Sequence, residues 1–371
     1  MSSTLSPEVS LIELPIAEAA PLGIFIPGPA HEHIAVTRGT RSGASIFVAV
    51  HNTQLGPALG GCRLWTYDSW NDALADSLRL SAGMTAKNAL AGLNAGGGKT
   101  VVRLTNNIPL SDAARREIFL DVGDAVEELG GRYITAEDVG TSSRDMATVA
   151  ERTTHVVGLP AESGGLGDPG EFTARGVYSS VSTMLEWMTG SSDPSGTRIT
   201  IAGLGQVGSR LASSLSESGA QLTVTDFNPA RREFADSIGA TWVASHSAHL
   251  VQSDIFVPAG VGGMLSRSVI AELTARAVVR PANNQLAESD GAAQLAARGI
   301  LYAPDYLVNA GGVIYLNALS QPDADRGDVM RRIDAIGETL RRVLITAAQL
   351  SITTLEAADA LVARRLASIS G

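Results

Sequence analysis

A chain of 371 residues is longer than one hydrophobic core usually serves, so two domains are expected. Hydrophobic residues at 44% exclude a disordered chain, and aromatics at 5% beside 39 glycines favour an α/β fold with tight strand–helix turns over an all-β sandwich. A net charge of −10 argues against nucleic acid and anionic membranes as partners, but not against a small anionic ligand, which feels only local charge.

The single cysteine, Cys62, excludes an internal disulfide and fits a reducing, cytoplasmic setting. Glu8, Glu13 and Glu18 sit where a signal peptide would be basic and then apolar, so none is expected. No run of about 18 apolar residues suggests a membrane span.

In chain order, residues 1–28 are rich in Ser, Pro and Ala and read as a loose extension. "ASIFVAVHN", ending at Asn52, reads as a buried strand. "SWNDALADSLRLSAGMTAKNALAGL" has helical spacing at Ala73, Leu74, Leu78, Leu80 and Met84, with Ser69 as its N-cap. Gly96, Gly97 and Gly98 then read as a rigid turn that opens the strand "KTVVRL". "SDAARREIFLDVGDAVEELGG" is a helix capped near Ser111 and stopped by Gly130 and Gly131. "RYITAEDVGTS" is a strand running into a loop.

The stretch 158–170, glycine-rich with Pro160 and Pro169, suggests a hinge or domain crossing. A helix over 172–188 follows, and then "RITIAGLGQVGSRLASSLSESGAQLTVTDF", a strand–turn–helix–strand unit. "DIFVPAG", "AVVRPANN" and "GILYAPDYLVNAGG" read as short strands ending in polar or glycine-rich turns. Two helices, 326–349 and 354–369, end the chain.

Within that unit, Gly203, Gly205 and Gly208 have G-x-G-x-x-G spacing between a strand and an amphipathic helix, and Asp226 ends the next strand 23 residues after Gly203. Gly203 suits the tight turn, Gly205 close approach of backbone to a pyrophosphate, and Gly208 helix–strand packing. Gln206 and Val207 open the helix, whose N-terminus faces the phosphate charge. Asp226 would accept from ribose hydroxyls and repel a 2′-phosphate, which favours NAD. Arg231 and Arg232, close by, would suit NADP.

"GLNAGGGKTVV", residues 92–102, looks like a second phosphate loop, but the G-x-x-x-x-G-K-[ST] register puts Leu93 where its first glycine belongs. A strand follows it, where a phosphate loop opens a helix, so the ATPase reading fails. A different parts list fits: Lys87 at the end of a helix, Lys99 after the glycines, Asp138 in "AEDVG", and a dinucleotide domain. One lysine would neutralise a carboxylate; the other, its pKa lowered by burial and a neighbouring cation, would act as acid or base, as in an amino-acid dehydrogenase.

Over roughly 45–345 the chain resembles the glutamate/leucine/phenylalanine/valine dehydrogenases, on "TQLGPALGGCR", "LRLSAGMTAKNALAGLNAGGGKTVV", "GRYITAEDVGT", "IAGLGQVG", "PANNQLA" and "GILYAPDYLVNAGGVI". The resemblance implies that Lys87 binds the substrate α-carboxylate, that Lys99 activates water, and that Asp138 relays protons to and from the substrate nitrogen. Gly60 and Gly61 would approach the substrate, and Asn284, or as the second choice Asn283, would orient it. Thr173 would lie near the nicotinamide carboxamide, with Asn283 assigned to the cofactor side.

Glutamate-acting members carry a lysine where Leu59 stands, so the pocket should be apolar, lined by Leu59, Ala136, Val313 and Leu316. This implies NAD-dependent oxidative deamination of a leucine- or valine-like L-amino acid to its 2-oxo acid and ammonia. Phenylalanine is the alternative substrate, and a catalytically silent NAD-binding relative a remote alternative. Arg280-Pro281 and Tyr315 depart from the family pattern; Arg280 is open between a surface position and a contact with cofactor or substrate.

The implied architecture is an N-terminal α/β catalytic and oligomerisation domain, 1–160, and a doubly wound Rossmann domain, 161–344, with the active site in the cleft between them. A final helix within 345–371 would pack back on the first domain. A homo-oligomer is implied, with no metal.

Overall fold

The computed structural model describes residues 31–106, 108–160, 169–260, 262–283, 286–319 and 325–369. The expected extension 1–28, most of the glycine-rich stretch 158–170, and Asn284 lie outside the described residues. Among these residues, 31–85 and 95–160 form one compact unit, and 86–94 and 169–369 a second.

The first unit is built from β1 (His33–Arg38), β2 (Ser45–Asn52), β3 (Ala58–Thr66), α1 (Trp70–Leu90), β4 (Gly96–Leu104), α2 (Asp112–Glu127), β5 (Tyr133–Glu137) and α3 (Ser143–Val149). The sheet order is β1-β2-β4-β3-β5. The β1–β2 and β2–β4 pairs are antiparallel; β3 pairs in parallel with β4 and β5. Alternation divides each strand between two faces. Ile46, Val48, Cys62, Leu64 and Val102 pack with Ile118, Phe119, Val122 and Val126 of α2. Phe47 and Val101 pack on the other face, with Ala73 and Leu74 of α1.

The predicted caps are present. Ser69 Oγ accepts from Asp72 N at 3.1 Å while the Asp72 carboxylate accepts from Ser69 N at 3.0 Å. Ser111 Oγ accepts from Ala114 N, and Gly130 and Gly131 take φ of 56° and 83° just after α2. Two strands go unanticipated. β1 follows the loosely read N-terminal stretch. β3 looks like a loop because it carries Gly60 and Gly61, yet it is the strand between β4 and β5.

The glycines before Lys99 are a correction. They lie inside β4, not in a turn, and none has positive φ. A Cβ on Gly96 would come within 1.8 Å of Asn52 O, on Gly97 within 2.1 Å of Thr85 N, and on Gly98 within 2.5 Å of the Tyr133 ring. Their missing side chains let β2, α1 and Tyr133 close on the strand.

The second unit comprises α4 (Gly170–Thr189), β6 (Arg198–Ala202), α5 (Gln206–Glu217), β7 (Gln221–Thr225), α6 (Arg232–Ser237), β8 (Thr241–Trp242), β9 (Ile255–Pro258), α7 (Arg267–Glu272), β10 (Ala277–Val279), α8 (Gly291–Ala297), β11 (Leu301–Ala303), α9 (Asp305–Val308), α10 (Gly311–Leu319), α11 (Arg326–Leu350) and α12 (Thr354–Ala367). Its six strands are all parallel in the order β11-β10-β9-β6-β7-β8. Counted from β6 this is the 3-2-1-4-5-6 arrangement of a doubly wound dinucleotide-binding sheet, whose order reverses between β6 and β9.

Residues 305–312, read as strand end and glycine turn, instead form α9 and the start of α10. Gly311 permits this: its Cβ would lie 2.0 Å from Phe172 O of α4. The final helix α12 packs on β11 and α11 of this unit, and Arg365 donates to the carbonyl of Leu93, which groups with the same unit.

Candidate active site

Strand alternation brings together the expected residues of the first unit. Val101 faces α1, so Lys99, two residues back on β4, shares that side. On β3 the core residues Cys62 and Leu64 take the α2 side, which leaves Leu59, Gly61 and Arg63 on the side of Lys99. On β5, Tyr133 is in the α2 core and Ala136 on the opposite face, with Asp138 just beyond the strand end. Gly61 is a contact position: a Cβ there would meet Asp138 Cβ at 2.7 Å. The Gly60 carbonyl accepts from the buried Tyr133 hydroxyl at 2.9 Å.

Lys99 Nζ lies 2.7 Å from Asp138 Oδ2, and Arg63 Nε donates to the same oxygen at 3.0 Å. Asp138 Oδ1 makes no hydrogen bond among the described residues. The backbone behind Asp138 is pinned by Thr141, whose Oγ1 accepts from Asp138 N and donates to Cys62 O. Burial pushes the Lys99 ammonium below the usual lysine range; Asp138 opposes that shift and Arg63 adds to it. Burial would raise Asp138, but Lys99 and Arg63 beside it hold the carboxyl well below the usual carboxylate range.

The expected neighbouring cation is thus Arg63. Its Nη1 also reaches Asp76 Oδ2 of α1 at 2.9 Å. Asp76 in turn accepts from the Tyr67 hydroxyl at 2.6 Å and pairs with Arg79. Sequence reading missed Arg63, Asp76 and Tyr67. The signal for Arg63 was there in "GGCR": it stands two residues after Gly61 and therefore on the same strand face.

The second unit holds the other expected residues. Lys87, in the last turn of α1, lies 3.4 Å from Asn283 Oδ1. Asn309 Nδ2 holds Asn283 in place, donating to its Oδ1 at 2.6 Å and to Pro281 O at 3.0 Å. Asn283, placed from the sequence on the cofactor side or else on the substrate, therefore lies beside Lys87, the lysine expected to bind the α-carboxylate. Thr173, in the first turn of α4, donates to Pro169 O, and a Cβ on Gly312 would meet its hydroxyl at 2.8 Å. It is thus close to Val313, which is half-buried on α10 one turn before buried Leu316. Leu59 and Ala136 are buried in the first unit.

Two departures from the family pattern are settled. Arg280 is only 2% exposed, paired with Asp305 and with its guanidinium 5.1 Å from the Tyr302 ring centroid. Tyr315 is buried and stacked on Phe172 with ring centroids 3.6 Å apart.

The glycine loop after β6 fits a dinucleotide. Gly203 has φ of 114°, and a Cβ there would strike Gly260 N at 2.6 Å; on Gly208 it would strike Gly203 O at 2.0 Å. A Cβ on Gly205 would meet no neighbouring atom of the described residues within 4 Å, so they leave open space where a pyrophosphate would lie at the N-terminus of α5. Gln206 and Val207 form the first turn of that helix. Asp226 is fixed at the end of β7 by Leu204 N at 2.6 Å and Asn228 N at 2.8 Å, one on each oxygen. Among the described residues, no group of three or more His, Cys, Asp or Glu could hold a metal, and no helix is long and apolar enough to cross a membrane.

Comparison with known proteins gives matching results. Residues 31–155 match the family model described as Glu/Leu/Phe/Val dehydrogenase, dimerisation domain, and 223–367 match that of Glutamate/Leucine/Phenylalanine/Valine dehydrogenase. Leucine dehydrogenase of Bacillus cereus is 38% identical over 340 residues, covering 91% of this chain and 92% of that protein. Phenylalanine dehydrogenase of Lysinibacillus sphaericus is 39% identical over 336 residues, covering 89% and 87%. The crystal structure of L-tryptophan dehydrogenase from Nostoc punctiforme superposes with a TM-score of 0.78 at 32% identity, covering 92% of this chain and 97% of that one.

Proposed function

This chain belongs to the glutamate/leucine/phenylalanine/valine dehydrogenase family and uses a nicotinamide cofactor; we propose that it is an NAD-dependent dehydrogenase of a leucine- or valine-like L-amino acid, forming the 2-oxo acid and ammonia. The observation that carries the chemistry is the pair of buried Lys99 and half-buried Asp138, 2.7 Å apart on the strand face that also presents Leu59 and Ala136.

Lys87, with Asn283 at its side, takes the substrate α-carboxylate, a charge-assisted contact that fixes the amino acid's orientation. Bound NAD supplies the acceptor for the hydride leaving Cα, which turns the amine into an iminium. Lys99 in its neutral form takes a proton from the water that adds to the iminium carbon. Asp138 offers Oδ1 to the substrate nitrogen and passes protons as the carbinolamine collapses to oxo acid and ammonia. Gly61, whose Cβ would meet Asp138 Cβ at 2.7 Å, lets Asp138 come close to the strand beside which the substrate would lie.

Leu59 supports the apolar specificity. A distal carboxylate against this buried side chain would lose its hydration without gaining a partner. The similarity to leucine dehydrogenases points the same way, while the phenylalanine reading rests on comparable identity to phenylalanine dehydrogenases. Asp226 favours NAD over NADP, since a 2′-phosphate would face its carboxylate. We further read the chain as a cytoplasmic homo-oligomer. An oxidation screen of the common L-amino acids with NAD, followed by NADH absorbance, tests the proposal. Leucine, valine and isoleucine are expected to lead; phenylalanine in first place would favour the second reading, and no NADH with any amino acid would overturn both.

A further inference from the structure

The cationic side chains of this protein are distributed unevenly by type. Of 28 Lys and Arg residues, 26 are arginines, and the only lysines are Lys87 and Lys99. A guanidinium does not give up its proton at any accessible pH, whereas a buried amine does. At all other cationic positions the chain uses Arg.

The ion pairs around Lys99 follow the same division. Asp138 and Asp76 are two carboxylates, and Arg63 and Arg79 two permanent cations bonded to them, with Arg63 bridging both carboxylates. The charges in this network balance when Lys99 carries no proton. We propose that Arg63 is a positioning residue that, with Asp76, makes Lys99 the surplus cation of an otherwise neutral network and so sets the pH at which it becomes a base. This rests on the proposed role of Lys99.

The other groups near Lys99 do not change the balance. β2 brings Ala49 opposite it. His51, farther along β2, is uncharged at neutral pH, because burial, with His31 beside it, lowers its pKa to about 4. Cys62 on β3, Tyr67 and Tyr133 are all pushed up by burial and stay neutral. Glu137 falls on the opposite face of β5 by alternation. Arg103 on β4 donates to the carbonyls of Tyr67 and Asp68. The pull of burial and Arg63 against that of Asp138 and Asp76 therefore governs the amine.

Having only two lysines makes the test direct. Full-length protein labelled with 13Cε-lysine should show two Cε signals by NMR, and Lys99→Ala assigns one of them. Arg63→Gln should raise the Lys99 titration midpoint by about one pH unit, and Asp76→Asn should lower it by a similar or smaller step. The acid limb of kcat/KM for the amino acid should move with each. Arg63→Lys keeps the charge but cannot bridge both carboxylates, so the midpoint should stay near the wild-type value while kcat falls about tenfold.

A structural role alone would lower activity without moving the midpoint in opposite directions. Midpoints that stay put, or move the same way in both charge variants, overturn the inference. If Arg63→Gln does not fold, a lowered midpoint in Asp76→Asn beside a near-wild-type midpoint in Arg63→Lys supports the inference, and an unmoved or raised midpoint in Asp76→Asn overturns it. A fully active Lys99→Ala enzyme would instead sink the role of Lys99; an inactive one with unmoved midpoints would sink only the inference about Arg63.

Discussion

The chain contains two glycine runs that look alike on paper and differ at one position. At 96–98 the glycines lie inside a strand, and each added Cβ would enter atoms of a neighbouring element. At 203–208 the first glycine turns the chain at φ of 114°, the last lets α5 pack on the loop, and the middle one faces open space. The first run uses glycine to bring protein against protein, with Lys99 next in line. In the second, Gly203 and Gly208 also bring protein against protein, and Gly205 alone of the three meets nothing among the described residues, which leaves room for a ligand. A glycine run is therefore diagnosed by what a side chain would meet, and composition alone cannot tell the two cases apart.

Substitutions in the two runs should separate cleanly. The largest effect is expected at the residue the first run delivers. Lys99→Ala should lower kcat by about a thousandfold or more while titration with NAD, followed by fluorescence, still shows binding; near-normal turnover would remove Lys99 from the chemistry. Gly97→Ala comes next. Its Cβ would press on the Thr85 backbone, so thermal or denaturant unfolding should show a loss of about 3 kcal/mol. A stable variant would mean that α1 can retreat and that the first run is not a close-packing device.

Gly205→Ala should do the reverse. Stability should stay within about 0.5 kcal/mol, since no protein atom is displaced. The Kd for NAD, by calorimetry, should rise about tenfold, equivalent to about 1.4 kcal/mol. Unchanged affinity would place the pyrophosphate elsewhere. The smallest effect is expected at Asp226→Ala, which should narrow the NAD over NADP preference in kcat/KM by about tenfold or less, because Leu204 and Asn228 lose their acceptor as well. A preference that does not move would shift attention to Arg231 and Arg232.

Local signals made much of the fold legible. Ser69, Ser111, Gly130 and Gly131 mark helix ends by hydrogen bonds and backbone angles that need only a few neighbouring residues. The strand–turn–helix unit at 198–227 was readable for the same reason. β3 was not: Gly60 and Gly61 lower strand propensity, and their value appears only once β5 and Asp138 are packed against them. The helices at 305–319 were hidden by Gly311 and Gly312, which look like breakers and act as contact points for α4.

By itself the sequence determined the kinds of chemistry present: a dinucleotide fingerprint ending in Asp226, two lysines, one aspartate in a turn, and a leucine where a charged substrate would need a cation. The fingerprint is a set of residue types at a spacing, which one chain is enough to read; what Lys87, Lys99, Asp138 and Leu59 would do is implied by the resemblance to the dehydrogenase family. Tertiary structure alone decided what acts on what. It placed Arg63 against both Asp138 and Asp76, Asn283 beside Lys87, and Arg280 in the interior on Asp305. Such pairings depend on which strands are neighbours and which face each residue takes. The protonation of Lys99 in turn depends on burial and on charges brought from distant parts of the chain, which no local pattern encodes.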